Sequence, residues 1–429
     1  MEGDPTQQRT AEPDELDIRF LPSDPELIIP QIQRLSIQNR TIGFETLVNI
    51  TGGPMSPDIQ KLLDQGLFPI VISSMNETNL KIIGLICTAT RHLSAVAPQH
   101  FLELINTIPI KFLLSIPNVP EVIDFLQESA YNFEEFGNLL LSEENAQIFL
   151  NSIGTWLSQE DTAKSALELL ITLSQLPNTN GFDFSIVKPF VDGQYSPDIR
   201  ALALNLLTQV EPQNAEHYIQ TLFSMFMNEK PTPNVFQIIH DYLQLFPNFF
   251  VNLIPQIYQR SMENIDVPDS AILLADISSH LDQPSREQII ALIFQQPNLC
   301  IERADAIYRM CSGNNNNYKI TLPPNFIEQL VSNMEACDSE EVLQCTEAIL
   351  KLHANYFASP ELQAKILPVF EREPQFSVYG FKTILFCCNN CEVAAPVLQA
   401  FYNFAHQFES NFDEEIHSDV LKFLQSHKL

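Results

Sequence analysis

Lys164-Ser-Ala-Leu-Glu-Leu-Leu-Ile-Thr-Leu173 and Arg200-Ala-Leu-Ala-Leu-Asn-Leu-Leu207 place apolar residues at spacings of three and four, the period of a helix with a buried side. The same spacing runs from Leu27 onward, and no window alternates as a half-buried strand does. The chain reads as all-α. Pro falls mostly between these segments, and three helix starts are near copies: Ser56-Pro57-Asp58-Ile59, Ser196-Pro197-Asp198-Ile199 and Ser359-Pro360-Glu361-Leu362. Ser can cap the free amides, Pro loses no hydrogen bond at the first helical position, and the carboxylate meets the positive end of the helix dipole.

A second, longer period lies over the first. The last core residues before each polar break are Ile50, Leu93, Phe133, Leu173, Val210, Phe246, Leu281, Met310 and Leu352, at intervals of 43, 40, 40, 37, 36, 35, 29 and 42, with less regular units near Cys388 and Phe404. A period near 40 with two or three helices per unit is the signature of armadillo and HEAT solenoids, in which each unit buries its faces against its neighbours. The expectation is a right-handed superhelical solenoid of about ten repeats over residues 26–429. Residues 1–25, rich in Asp, Glu, Pro, Thr and Gln, read as a disordered acidic tail. Asn314 to Asn317 read as a loop insertion between repeats.

The 429 residues carry 53 Asp and Glu against 23 Lys and Arg, a formal charge of −30. Such a surface repels phosphates and anionic lipid, so nucleic acid and membrane drop out as partners and basic ones rise. The excess also serves solubility. Met1 to Phe20 has no basic region followed by an apolar run, and no apolar stretch approaches the ~18 residues of a membrane span. Eight Cys without a framework spacing fit a reducing compartment. A cytoplasmic setting, extending to the nucleus, is expected.

No catalytic constellation emerges: the nine His are scattered, His-Glu-x-x-His, Gly-x-Ser-x-Gly and Gly-x-x-x-x-Gly-Lys are absent, and adjacent pairs such as Glu134-Glu135 point to different helix faces. Cys388-Asn-Asn-Cys391 lacks the second ligand pair that tetrahedral zinc requires and reads as helix core. No enzyme, metal, cofactor or small-molecule substrate is expected. Phe246-Pro-Asn-Phe-Phe250 reads as helix-junction core, with an exposed docking patch as the alternative.

From Ser56 to Ala95 the sequence resembles the armadillo repeat: a helix ending at Gly66, a pair at Phe68-Pro69 opening an apolar helix, then a closing helix from Leu80. Leu47-Val48-Asn49-Ile50-Thr51 resembles the family's closing signature, echoed at Tyr131-Asn132-Phe133 and Tyr402-Asn403-Phe404. The likeness is good over 27–175; beyond 176 HEAT-like units fit equally. Within the family the residues suggest an importin-alpha-like adaptor, which implies a concave groove where closing-helix Asn residues, here Asn49 and Asn132, hold an extended peptide. The family's Trp positions hold Glu45 and Glu128, and the basic N-terminal segment is replaced by an acidic one, departures that point away from conventional nuclear import.

Five residues before each repeat's last core residue stand Glu45, Thr88, Glu128, Glu168, Asn205, Asp241, Asp276, Asp305 and Glu347. Seven of the nine are carboxylates, where 53 acids in 429 residues would place about one. On a concave face they would form a negative ladder with steps of about 10 Å. The functional expectation is non-enzymatic recognition of a Lys/Arg-rich peptide by an adaptor. The alternative is a scaffold subunit that binds folded partners through its outer helices.

Overall fold

The computed structural model describes residues 25–407, except 36–39, 52–58, 75–78, 97–107, 178–181, 297–298, 313–323, 338, 353–358, 367, 370–373 and 391–392, together with 418 and 422. The expected tail (apart from Pro25), the Asn run, Ser56-Pro57-Asp58 and Cys391 lie outside these residues. Among the described residues the regular elements are helices and there is no strand. Contacts gather them into two compact units, Met1–Thr221 and Leu222–Leu429.

In the first unit five helices stack each against the next: α1 (Arg40–Thr51), α2 (Leu80–Val96), α3 (Pro120–Asn132), α4 (Glu160–Ser174) and α5 (Pro197–Val210). A second row backs them. Pro25–Arg34 packs on α1, Leu67–Ser74 on α2, Ala146–Leu157 on α4, and the 3-10 segment Phe184–Val191 on α5. The second unit repeats the plan with α6 (Pro233–Leu245), α7 (Pro268–Ile277), α8 (Ile301–Ser312), α9 (Glu340–Leu352) and α10 (Pro374–Asn390). Ile254–Glu263 backs α7, Gln283–Phe294 backs α8 and Pro324–Ala336 backs α9.

A helix with a neighbour on either side and another behind keeps only a narrow stripe open. This is why α4 and α5 read as almost continuously apolar. α4 buries Ala163, Ala166, Leu167, Leu169, Leu170 and Leu173, and α5 buries Ile199, Ala201, Leu202, Ala203, Leu204, Leu206 and Leu207. Hydroxyls at the helix seams are satisfied locally: Thr51, Thr90, Ser129, Thr172, Thr208, Thr346 and Thr383 each donate to the carbonyl four residues back.

Eight of the nine repeat ends read from the sequence fall in the last turns of their stacked helices or directly after them; Leu281 lies beyond the 3-10 turn Ser278–His280 that follows α7. The start of α5 follows the expected chemistry, with Ser196 Oγ accepting from the Ile199 amide at 3.5 Å and Pro197 in the first turn. Ser359 instead donates to the Glu361 carboxylate at 2.7 Å. In the window from 56 to 95 the unit has three helices, Ile59–Asp64, Leu67–Ser74 and α2, and Gly66 makes the turn between the first two at φ +90°. An L-residue meets its own carbonyl there, so Gly66→Ala lowers the unfolding free energy by about 1 kcal/mol. A urea midpoint unchanged by this substitution would show that the turn relaxes freely.

In Phe246 to Phe250 one ring, Phe250, is fully buried, while Phe246 and Phe249 are half-buried, Phe246 lying edge-on to Tyr242 at 5.6 Å. The borders of the stretch are open: Leu245 is 67% and Val251 51% exposed. Cys387 is buried in α10, while the side chains of Cys388 and Cys391 lie outside the described residues.

Candidate functional site

The open stripes of the stacked helices hold the residues read from the sequence as a row. Glu45, Thr88, Glu128, Glu168 and Asn205 lie one per helix on α1–α5; Asp241, Asp276, Asp305 and Glu347 lie one per helix on α6–α9. All are partly exposed except Glu347, which is buried. Asn49 and Asn132 are exposed one turn beyond Glu45 and Glu128.

The row is threaded with the chain's own bases, which sequence reasoning did not pick out. Lys81 of α2 reaches Glu45 of α1 at 2.6 Å. Where the row has Thr88 in place of an acid, Arg91 one turn on extends to Asp124 at 3.4 Å and Glu128 at 3.5 Å on α3. Gln127 of α3 donates to Thr172 of α4 at 3.1 Å, and Ser174 of α4 to Gln209 of α5 at 3.2 Å. In the second unit both oxygens of Asp276 are engaged: Oδ2 with His240 Nδ1 of α6, and Oδ1 with Arg309 Nη1 of α8 at 2.7 Å. Arg309 also holds Asp305 at 2.8 Å, and Lys351 pairs with Glu347. Tyr379 of α10 donates to Glu340 of α9 at 2.8 Å. The open faces thus carry a polar seam that clips neighbouring repeats together, and Asp276 is foremost a joint between three helices.

Acid still crowds acid along the seam. Burial raises the carboxyl pKa of Glu168, and Asp124 and Asp198 on the flanking helices add to the rise against Lys164. Burial likewise raises Asp241, opposed by a hydrogen bond from Gln237. Carboxyls held above their ordinary range gain from an added cation. Burial drives the thiols of Cys87 and Cys311 upward, away from nucleophilic use. Among the described residues no three His, Cys, Asp or Glu gather as a metal would require, and no helix is long and apolar enough to cross a membrane.

His240 ties the second unit to pH. Its hydrogen bond to Asp276 raises its pKa above 6.5, with the charges of Asp276 and Asp241 adding to the rise and burial and Arg309 opposing it. The added stability is therefore fully present below pH 6.5 and is lost as pH rises through the higher folded value. His240→Gln is expected to flatten the fall in melting temperature between pH 6 and pH 8.5; equal slopes in both proteins would show that the pair contributes nothing.

These features define an all-α helical-repeat protein of the solenoid class, on the packing of its ladder helices alone. No protein-family model matches the sequence, and no curated protein matches it. Among solved structures the chain is similar to yeast importin-beta at 14% identity and a TM-score of 0.49, over 94% of this chain and 56% of that one. It is also similar to an engineered protein at 12% identity and a TM-score of 0.37, over 94% and 98%. The chain spans little more than half the length of the importin-beta chain.

Proposed function

We propose that the open faces of α1–α5 and, separately, those of α6–α9 each bind an extended, Lys/Arg-rich segment of another protein, without catalysis, and that the chain acts as an adaptor. The observation that carries this reading is the recurrence of a carboxylate at one offset on seven of the nine helices, six of them partly exposed on the stripe their neighbours leave open and Glu347 buried. Glu168 and Asp241, whose carboxyl pKa values burial raises, are seats where an incoming cation gains. Asn49 and Asn132, both exposed, would meet the backbone of such a segment. An armadillo-type, distantly importin-alpha-like character fits the three-helix unit and the turn at Gly66. The same charge disfavours nucleic acid and anionic membrane as partners. A cytoplasmic or nucleocytoplasmic setting belongs to the proposal.

A second reading, a scaffold subunit that holds folded partners through the second-row helices, is favoured by one observation. Lys81, Arg91, Lys164, Arg309 and Lys351 already offset part of the row. Titration of the full chain with a fluorescent peptide of alternating Lys and Gly separates the two. Each exposed pair adds up to ~1 kcal/mol and is screened by salt. The dissociation constant should therefore rise about tenfold or more between 50 and 300 mM salt, and as much again when Glu128, Glu168, Asp241 and Asp305 become amides. Affinity indifferent to both would leave the scaffold reading standing.

A further inference from the structure

Between the C-terminal end of α6 and that of α7, within the second unit, lies a cleft of about 340 Å3. Leu243, Phe250, Val251, Ile254 and Ile277 form apolar walls; Gln244, Pro247, Asn248, Asp276 and His280 complete the lining. The volume is at the low end of small-ligand sites, roughly 300–1,000 Å3, and suits one side chain better than a cofactor. Exposed apolar surface adjoins it, since Val251 is 51% and neighbouring Leu245 67% exposed. Scattered exposed aliphatics are ordinary, but two beside an apolar cleft form a patch.

The charges around the patch indicate its occupant. Asp241 stands three and four residues before Gln244 and Leu245, on the same side of α6, with a carboxyl raised by burial. Asp276 is part of the wall itself. Of the bases nearby, His240 and Arg309 are both committed to Asp276. Apolar cleft and acid are thus one helical turn apart, about 5.4 Å, and two residues of an extended chain advance about 6.6 Å.

We infer that this cleft takes an aliphatic side chain of the bound segment, with a Lys or Arg two residues away meeting Asp241. The recognised segment then has the form apolar-x-basic, not base alone. This rests on the acidic-row reading of the preceding section and narrows it.

Three labelled peptides of equal length test it on the full chain by fluorescence anisotropy: four bases in a Gly/Ser background, the same with Leu two residues before a base, and the Leu peptide with its bases changed to Ser. Burying one Leu is worth roughly tenfold or more, so the second peptide should bind about tenfold tighter than the first. Val251→Ser, which removes an exposed wall, and Asn248→Trp, which fills the cleft from an exposed position, should each shrink the difference below threefold. Circular dichroism confirms that both variants are folded. A Leu that adds nothing, or a gain that survives both variants, overturns the inference and leaves the acidic row intact. Failure of the first two peptides alike to bind overturns both. A wild-type dimer that Val251→Ser converts to a monomer in sedimentation would assign the cleft to a second copy of the chain and overturn the inference as well.

Discussion

Trp156→Ala is expected to lower the unfolding free energy of the first unit by about 3–5 kcal/mol, the range for truncating a large buried aromatic. Trp156 is the only Trp in the chain and is 1% exposed. Its Nε1 donates to the Ile116 carbonyl at 2.9 Å, and its own carbonyl accepts from Thr162 Oγ1 at 2.6 Å. It joins the second-row helix Ala146–Leu157 to the turn that follows Ile110–Leu114. Truncation opens a cavity and leaves the Ile116 carbonyl without its donor, which adds to the loss. The melting temperature followed by circular dichroism should fall by about 10 °C, since a unit of this size moves roughly 2–4 °C per kcal/mol. Trp156→Phe, which keeps most of the volume but not the donor, should lie between. A shift under about 2 °C for the Ala variant would mean that this part of the unit is not closely packed.

Asp276→Ala should destabilise the second unit by about 2–3 kcal/mol, because it leaves His240 without its carboxylate beside an Arg309 that keeps only Asp305. The side chains of Asp276 and His240 are 13% and 15% exposed and that of Arg309 35%, so the loss falls below that of a fully buried triad and above that of a surface pair. Asp276→Ala and Arg309→Gln combined should cost less than their sum, since one contact is counted in both. Urea unfolding of the four proteins reads this directly. A loss under about 0.5 kcal/mol, or strict additivity, would return Asp276 to the class of exposed row carboxylates.

Much of the fold was legible because a repeat writes its period into the chain. The ends of the apolar segments from Ile50 to Leu352, Leu281 excepted, coincide with the ends of stacked helices, since a helix must stop where its neighbours cease to cover it. Positions at one distance from those ends fall one per stacked helix, eight of them partly exposed and Glu347 buried. Pairs within a helix, Lys164 with Glu168, Asp305 with Arg309 and Glu347 with Lys351, follow from their spacing of four.

The clips between helices were not legible. Arg91 meets Asp124 33 residues on, His240 meets Asp276 36 on, and Tyr379 meets Glu340 39 back. The period says which helices are neighbours, but the rotation of each helix decides which side chains face across the seam. The boundary near Thr221 was hidden too, because helical periodicity runs through it without a change in composition. Trp156 is core, which its place in an apolar helix segment did not by itself distinguish from a groove position, and burial decides between them.

The central claim is that the open stripes of the stacked helices are the binding surface. Photo-crosslinking tests it most directly. A Lys/Arg-rich peptide carrying a benzophenone at its centre is irradiated with the full chain at low salt, and the adducts are mapped by mass spectrometry. Adducts on α3, α4, α6 and α8, near Glu128, Glu168, Asp241 and Asp305, and suppressed by excess unlabelled peptide, are the expected result. Adducts confined to the second-row helices Ala146–Leu157, Ile254–Glu263 and Gln283–Phe294, or adducts no more frequent than with an acidic control peptide, would contradict it.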